Sequence, residues 1–293
     1  MENVLSFKTK TMCVCIDKYE KYSFNYRGWT IADSYVLNET SPRHSQYSIT
    51  ISSPNISAED ELTNFCLQGQ KIAEMITELI PISGLPSPNS PRFKSFSSNL
   101  TLVNYKSAPS GWSNNYSDIL TSLDKGSNNG LIVTITNEGF CNSAILEQSP
   151  LHDIQYMLGL YDDADETIKF LLFLNKSILS ANDINVYMLI GKAIEIINAL
   201  YPYKKHQKSK DRRIEKYFPE LLDVFQDITI EKLLDLSNNR KEARHYVNNK
   251  NCNLPHENLS NEERLSLYRC SLNLIINVIR QAFELPHQPI CFK

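Results

Sequence analysis

The chain has 293 residues, enough for one large domain or two of ordinary size. Its 42% hydrophobic and 22% charged residues are those of a soluble globular protein and exclude a disordered one. A formal net charge of -3 excludes a generally basic nucleic-acid binder, so any contact with a polyanion must use a local patch.

The first half reads as short β-type runs: Thr11 to Ile16, Trp29 to Leu37, Gln46 to Ser52, Asn99 to Tyr105 and Leu131 to Thr136. Tyr47-Ser-Ile-Thr-Ile51 and Ile132-Val-Thr-Ile-Thr136 alternate strictly, which predicts half-buried strands of a mainly antiparallel sheet. One helix interrupts them. Ser57-Ala-Glu-Asp60 supplies a hydroxyl cap and early acids, Leu62, Phe65, Ile72, Met75, Ile76 and Leu79 form its apolar stripe, and Pro81 ends it. The Pro- and Ser-rich stretch from Pro81 to Ser98 reads as a long exposed loop, and residues 106 to 118 as another.

From about residue 150 the pattern turns helical. Helices are expected at 150–160, 163–179, 183–200, 218–226, 229–248 and 260–284, with Ser180-Ala-Asn-Asp183 as a break and Ser260 capping the last. That last helix carries one apolar stripe through Leu265, Tyr268, Leu272, Ile275, Ile276, Ile279 and Phe283, and a second, nearly opposite, through Leu267, Leu274 and Val278. Both sides need cover, either within the chain or from a second subunit. The fold class expected is therefore α+β: a mainly antiparallel β-sheet domain with a helix over residues 1–149, then an all-α bundle over residues 150–293.

Seven scattered cysteines without a Cys-x-x-Cys pair predict free thiols in a reducing compartment. The N-terminus lacks an apolar signal core, and no run approaches the roughly 18 apolar residues of a membrane span. A cytoplasmic protein without membrane contact is expected.

The chemistry-bearing pattern is Arg240-Lys-Glu-Ala-Arg-His245 on the 229–248 helix. Arginine is a permanent cation whose planar fork fits phosphate oxygens, and histidine exchanges a proton near neutrality. At 100° per residue, Leu233, Leu236, Ala243 and Val247 fall within an arc of about 80° that also holds Arg240, while His245 lies about 140° around. An arginine in an apolar stripe needs an acid or an anion to satisfy it. One helix cannot bring both side chains to one atom, but two copies meeting across a two-fold axis can build a cleft with two arginines and two histidines. In such a cleft histidine serves RNA 2′-hydroxyl attack as acid or base, arginine stabilises the phosphoryl charge, and no metal or other cofactor is required.

The run from Lys204 to Lys216 holds Lys204, Lys205, Lys208, Lys210, Arg212, Arg213 and Lys216 against Asp211 and Glu215, a net of five positive charges. It is a candidate track for an RNA backbone. Nine glycines form neither a P-loop nor a dinucleotide fingerprint, and the remaining histidines lack zinc spacing.

Residues from about 150 to 290 resemble HEPN domains, and more specifically the Apea-like group. The resemblance rests on Ile168-Lys-Phe-Leu-Leu-Phe173, Ile190-Gly-Lys-Ala-Ile-Glu195-Ile and Leu236-Ser-Asn-Asn-Arg240-Lys-Glu-Ala-Arg-His245-Tyr, followed by the long last helix. It implies a helical bundle that commonly dimerises, with an R-x4-6-H motif at the dimer cleft. It implies a metal-independent endoribonuclease of toxin, abortive-infection or antiphage defence systems. Arg240 and His245 would be the catalytic pair and Glu195 a framework acid facing an arginine. The family usually places Asn, Asp or His directly after the arginine. Here Lys241 stands there, and Asn238 and Asn239 precede Arg240 in a position to take the polar role. Two functions follow from the resemblance: an RNA-cutting homodimer whose N-terminal domain senses or restrains it, beside a neutralising or sensor partner, or a non-catalytic dimerisation and RNA- or partner-binding module.

Overall fold

A computed structural model describes residues 6–8, 12–13, 15–40, 45–54, 59–83, 96–98, 101–102, 131–133, 145–146, 148–180, 183–202, 211–226, 228–238 and 259–289. The chain is α+β and divides into two compact units, one reaching Asp162 and the next beginning at Asp163. Among the described residues, no helix is long and apolar enough to cross a membrane.

The first unit is built on strands β1 (Ser6–Lys8), β2 (Met12–Cys13), β3 (Cys15–Ile16), β4 (Ser23–Tyr26), β5 (Trp29–Val36) and β6 (Gln46–Ser52). Four more follow: β7 (Phe96–Ser98), β8 (Thr101–Leu102), β9 (Leu131–Val133) and β10 (Ile145–Leu146). The main sheet runs β4-β5-β6-β1-β8, with β2 also on β6. β5 and β6 set its register, pairing antiparallel from Thr30 with Ser52 to Val36 with Gln46. The expected alternation appears as Trp29 and Ile31 buried on β5 facing the same way as Tyr47, Ile49 and Ile51 on β6. Apart from it, β10 pairs β3 in parallel and β7 pairs β9 antiparallel.

β4 was not expected from the sequence. It joins β5 through a two-residue turn in which Arg27 and Gly28 both have positive φ, 50° and 83°. That geometry matches the twist of a hairpin, and a glycine at its second position adopts it freely.

Helix α1 (Glu59–Leu79) buries Ile72, Ile76 and Leu79 and closes in a 3-10 turn, Ile80–Ile82, that contains Pro81. Ser83 then donates its hydroxyl to the Ile80 carbonyl at 2.8 Å. Most of the stretch from Pro81 to Ser98, and residues 106 to 118, lie outside the described residues. Helix α2 (Leu151–Leu160) belongs to this first unit, which moves the boundary past residue 150. The reason is its packing: Leu151, Ile154, Met157 and Leu158 are buried, α2 contacts α1 and β4, and the Tyr161 hydroxyl donates to Glu78 at 3.0 Å.

The second unit is helical: α3 (Glu166–Ser180), α4 (Asp183–Leu200), α5 (Arg213–Tyr217), α6 (Leu222–Phe225), α7 (Ile230–Asn238) and α8 (Asn261–Ala282). The expected helix at 218–226 is shorter, because Pro219 opens a 3-10 turn, Pro219–Leu221, ahead of α6. α8 begins with a capping box in which Ser260 and Glu263 satisfy each other's backbone amides. α3, α4, α6 and α7 all pack on it. Every residue from Cys270 to Arg280 is buried, Leu267, Leu274 and Val278 included. The second apolar stripe is thus covered inside the chain and leaves no face of that stripe for another subunit. Leu265, at the start of the first stripe, is exposed instead.

Candidate functional site

Arg240, His245, Asn239 and Lys241 lie outside the described residues, as do Lys204, Lys205, Lys208 and Lys210. The described chain carries the motif-bearing segment as far as Asn238. Thr229 opens α7, its hydroxyl accepting from the Lys232 amide at 3.0 Å. Ile230, Leu233, Leu236 and Ser237 face inward and are buried, as the helical period predicts. α7 lies close against α4 at one point, where a Cβ added to Gly191 would meet Ser237 Cβ at 3.4 Å. Two small residues therefore set the distance between these helices.

The start of α7 is fixed by Asp211 and Arg213. Arg213 donates Nε and Nη2 to the two Asp211 oxygens, each at 2.9 Å, a bidentate fork. Its Nη1 donates to Asn198 Oδ1 at 2.6 Å and to the Tyr201 carbonyl at 2.9 Å, where a cation suits the end of α4. Asp211 also accepts the Arg213 amide at 3.1 Å and the Glu231 amide at 3.3 Å, in the first turn of α7. The side chains are 6% and 3% exposed. Burial alone would push the Asp211 carboxyl up, but the hydrogen bonds and charge of Arg213 outweigh it and hold the group below its ordinary range.

This corrects one member of the expected basic track. Arg213 has its guanidinium committed to a carboxylate, an amide and a helix end, so it offers no fork to a phosphate. It ties α4 to α7 instead. Arg212 beside it is exposed, pairs with Glu215 at 3.7 Å, and keeps the character of a surface cation. Glu195, expected as a framework acid, is half-buried on α4.

The sheet unit holds a polar knot that sequence reading missed. Asp33 is 2% exposed on the apolar face of β5, in register with Ile49. Its carboxylate accepts from the Tyr19 hydroxyl at 3.0 Å, the Tyr22 amide at 2.8 Å, the Tyr47 hydroxyl at 3.3 Å and the Ser149 hydroxyl. Ser149 Oγ in turn accepts the Leu151 amide at the start of α2. Burial first, and the Asp33 charge after it, push the Tyr19 and Tyr47 phenols well above their ordinary range, so both stay protonated donors. Every group in the knot is paired, so it is a brace between β5, β6 and α2. The signal was present: the alternation Trp29, Ile31, Asp33, Tyr35 places an acid in an apolar row. Cys270 is equally inert, its thiol pushed up to about 12 by burial.

No family model, curated protein or solved structure matches this chain.

Proposed function

We propose that the chain is a metal-independent endoribonuclease of HEPN type, acting as a homodimer in the cytoplasm with Arg240 and His245 as its catalytic pair. The observation that carries this reading is the R-x4-H pattern two residues beyond α7, in a unit whose described part is a helical bundle. Within that unit, α7 is packed on α4 through Gly191 and Ser237, and Asp211 holds its first turn.

In the reaction, His245 takes the 2′-hydroxyl proton as O2′ attacks the adjacent phosphorus. The bond from phosphorus to O5′ breaks, and His245 of the partner subunit, as imidazolium, protonates O5′. Arg240 neutralises charge on the non-bridging oxygens, with Asn239 and Lys241 flanking it. The products carry a 2′,3′-cyclic phosphate and a 5′-hydroxyl. Glu195 is a framework acid, and Lys204, Lys205, Lys208, Lys210 and Arg212 steer the RNA. A toxin or antiphage effector, restrained by its N-terminal unit or by a separate neutralising partner, is the biological setting this chemistry fits.

A second reading, a non-catalytic HEPN module for dimerisation or for binding RNA or a partner, is favoured by Lys241 standing where the family carries Asn, Asp or His. Induced expression in a bacterial host separates the two. Growth arrest that Arg240→Ala and His245→Ala each abolish, with unchanged circular dichroism, supports the enzyme. Arrest that persists in both variants contradicts it.

A further inference from the structure

The outer face of the α3–α4 hairpin carries an aromatic pair that the catalytic reading does not use. Phe170 and Phe173 lie one turn apart on α3, with ring planes 11° from parallel and centroids 6.2 Å apart. Their faces therefore turn the same way. Phe173 is 53% exposed, so its ring is open to a ligand. From α4, the Lys192 ammonium sits 4.6 Å from the Phe170 ring centroid. No carboxylate among the described residues pairs with that ammonium. Met188, one turn before Lys192, is also exposed.

We infer that Phe170, Phe173 and Lys192 form a base-stacking subsite for single-stranded RNA, a proposal that rests on the RNA reading above. Three arguments select this occupant. Nucleobases stack on exposed aromatic faces with little regard to sequence, and Phe173 offers such a face. A lysine beside the ring answers the phosphate that follows each base, whereas protein interfaces enrich phenylalanine and methionine but deplete lysine. In sequence, the basic segment from Lys204 to Lys210 and the exposed Arg212 follow α4, the helix that carries Lys192. Lys192 already occupies one face of Phe170, so the base is taken by Phe173. Phe170 anchors the cation beside it.

The test is binding of a fluorescein-labelled 2′-O-methyl oligoadenylate to the full chain, across a salt series. The methyl group removes the nucleophile, so binding is read without cleavage. Phe173→Ala should weaken affinity by about 5- to 150-fold, and Phe173→Trp should restore it. Lys192→Gln should lower the slope of log affinity against log salt by about 1. Wild-type affinity in Phe173→Ala overturns the subsite and leaves the RNA reading standing. No binding by the wild-type chain overturns both. If Phe173→Ala leaves affinity unchanged and instead converts a dimer to a monomer by sedimentation, the face is a contact between copies and the subsite is wrong.

Discussion

Asp211→Ala should be among the most damaging single substitutions in the helical unit, although the residue looks like part of a solvated charge run. The variant removes the acceptor of two guanidinium donors, the Arg213 amide and the Glu231 amide. It takes two charge-assisted hydrogen bonds from the Arg213 guanidinium, which is 6% exposed. Stranding one partner of a buried ion pair costs about 3–5 kcal/mol, a large share of the roughly 5–15 kcal/mol that holds a domain together. The neighbouring control is Arg212→Ala, whose 3.7 Å pair is exposed on both sides and is worth about 1 kcal/mol or less. Because the chain has two compact units, hydrogen exchange of α7 and α8 amides in urea reads the helical unit by itself. The pH dependence carries a sign. Asp211 is depressed in the folded state, so its contribution is present above the ordinary carboxyl value of about 3.9 and disappears as pH falls through the folded value. The stability gap between wild type and Asp211→Ala should therefore be full at neutral pH and narrow below about pH 4. A loss no larger than that of Arg212→Ala would refute the assignment of Arg213 as a buried tie.

Gly191→Leu should separate α4 from α7 and cost about 1–3 kcal/mol by overpacking against Ser237. Gly191→Ala, at ordinary contact distance, should be tolerated, and thermal melts of the two variants side by side check the difference. Asn175 is fully buried on α3, and neither atom of its amide has a partner among the described residues. Asn175→Leu, of similar volume, should therefore stabilise the helical unit by about 1–3 kcal/mol in chemical denaturation; a lower midpoint would show that the amide has an unseen role.

Much of this architecture was legible in one dimension. The alternation in β5 and β6 and the period of Leu233 and Leu236 depend on local geometry, and local geometry is written in spacing. The capping box at Ser260 is of the same kind. What escaped depends on partners distant in sequence or on unusual backbone. The charge run from Lys204 to Lys216 cannot reveal that Arg213 turns inward, because that requires Asn198, Tyr201 and the first turn of α7 to converge on it. The second stripe of α8 demanded a cover without naming one, and the cover is the rest of its own unit. α2 reads as the first helix of a helical run, yet its buried face belongs to the sheet unit, through Ser149 and Asp33. The hairpin at Arg27 and Gly28 lacks the Asn-Gly signal that usually announces such a turn. The candidate site was legible as a motif only, since Arg240 and His245 lie beyond the described residues.

The central claim is that Arg240 and His245 cut RNA without a metal. The most direct measurement is incubation of purified wild type and His245→Ala with total RNA in EDTA, followed by mapping of the new ends. The account predicts fragments ending in 2′,3′-cyclic phosphate from the wild type and none from the variant. Intact RNA with both proteins, or the same fragments from both, would contradict it.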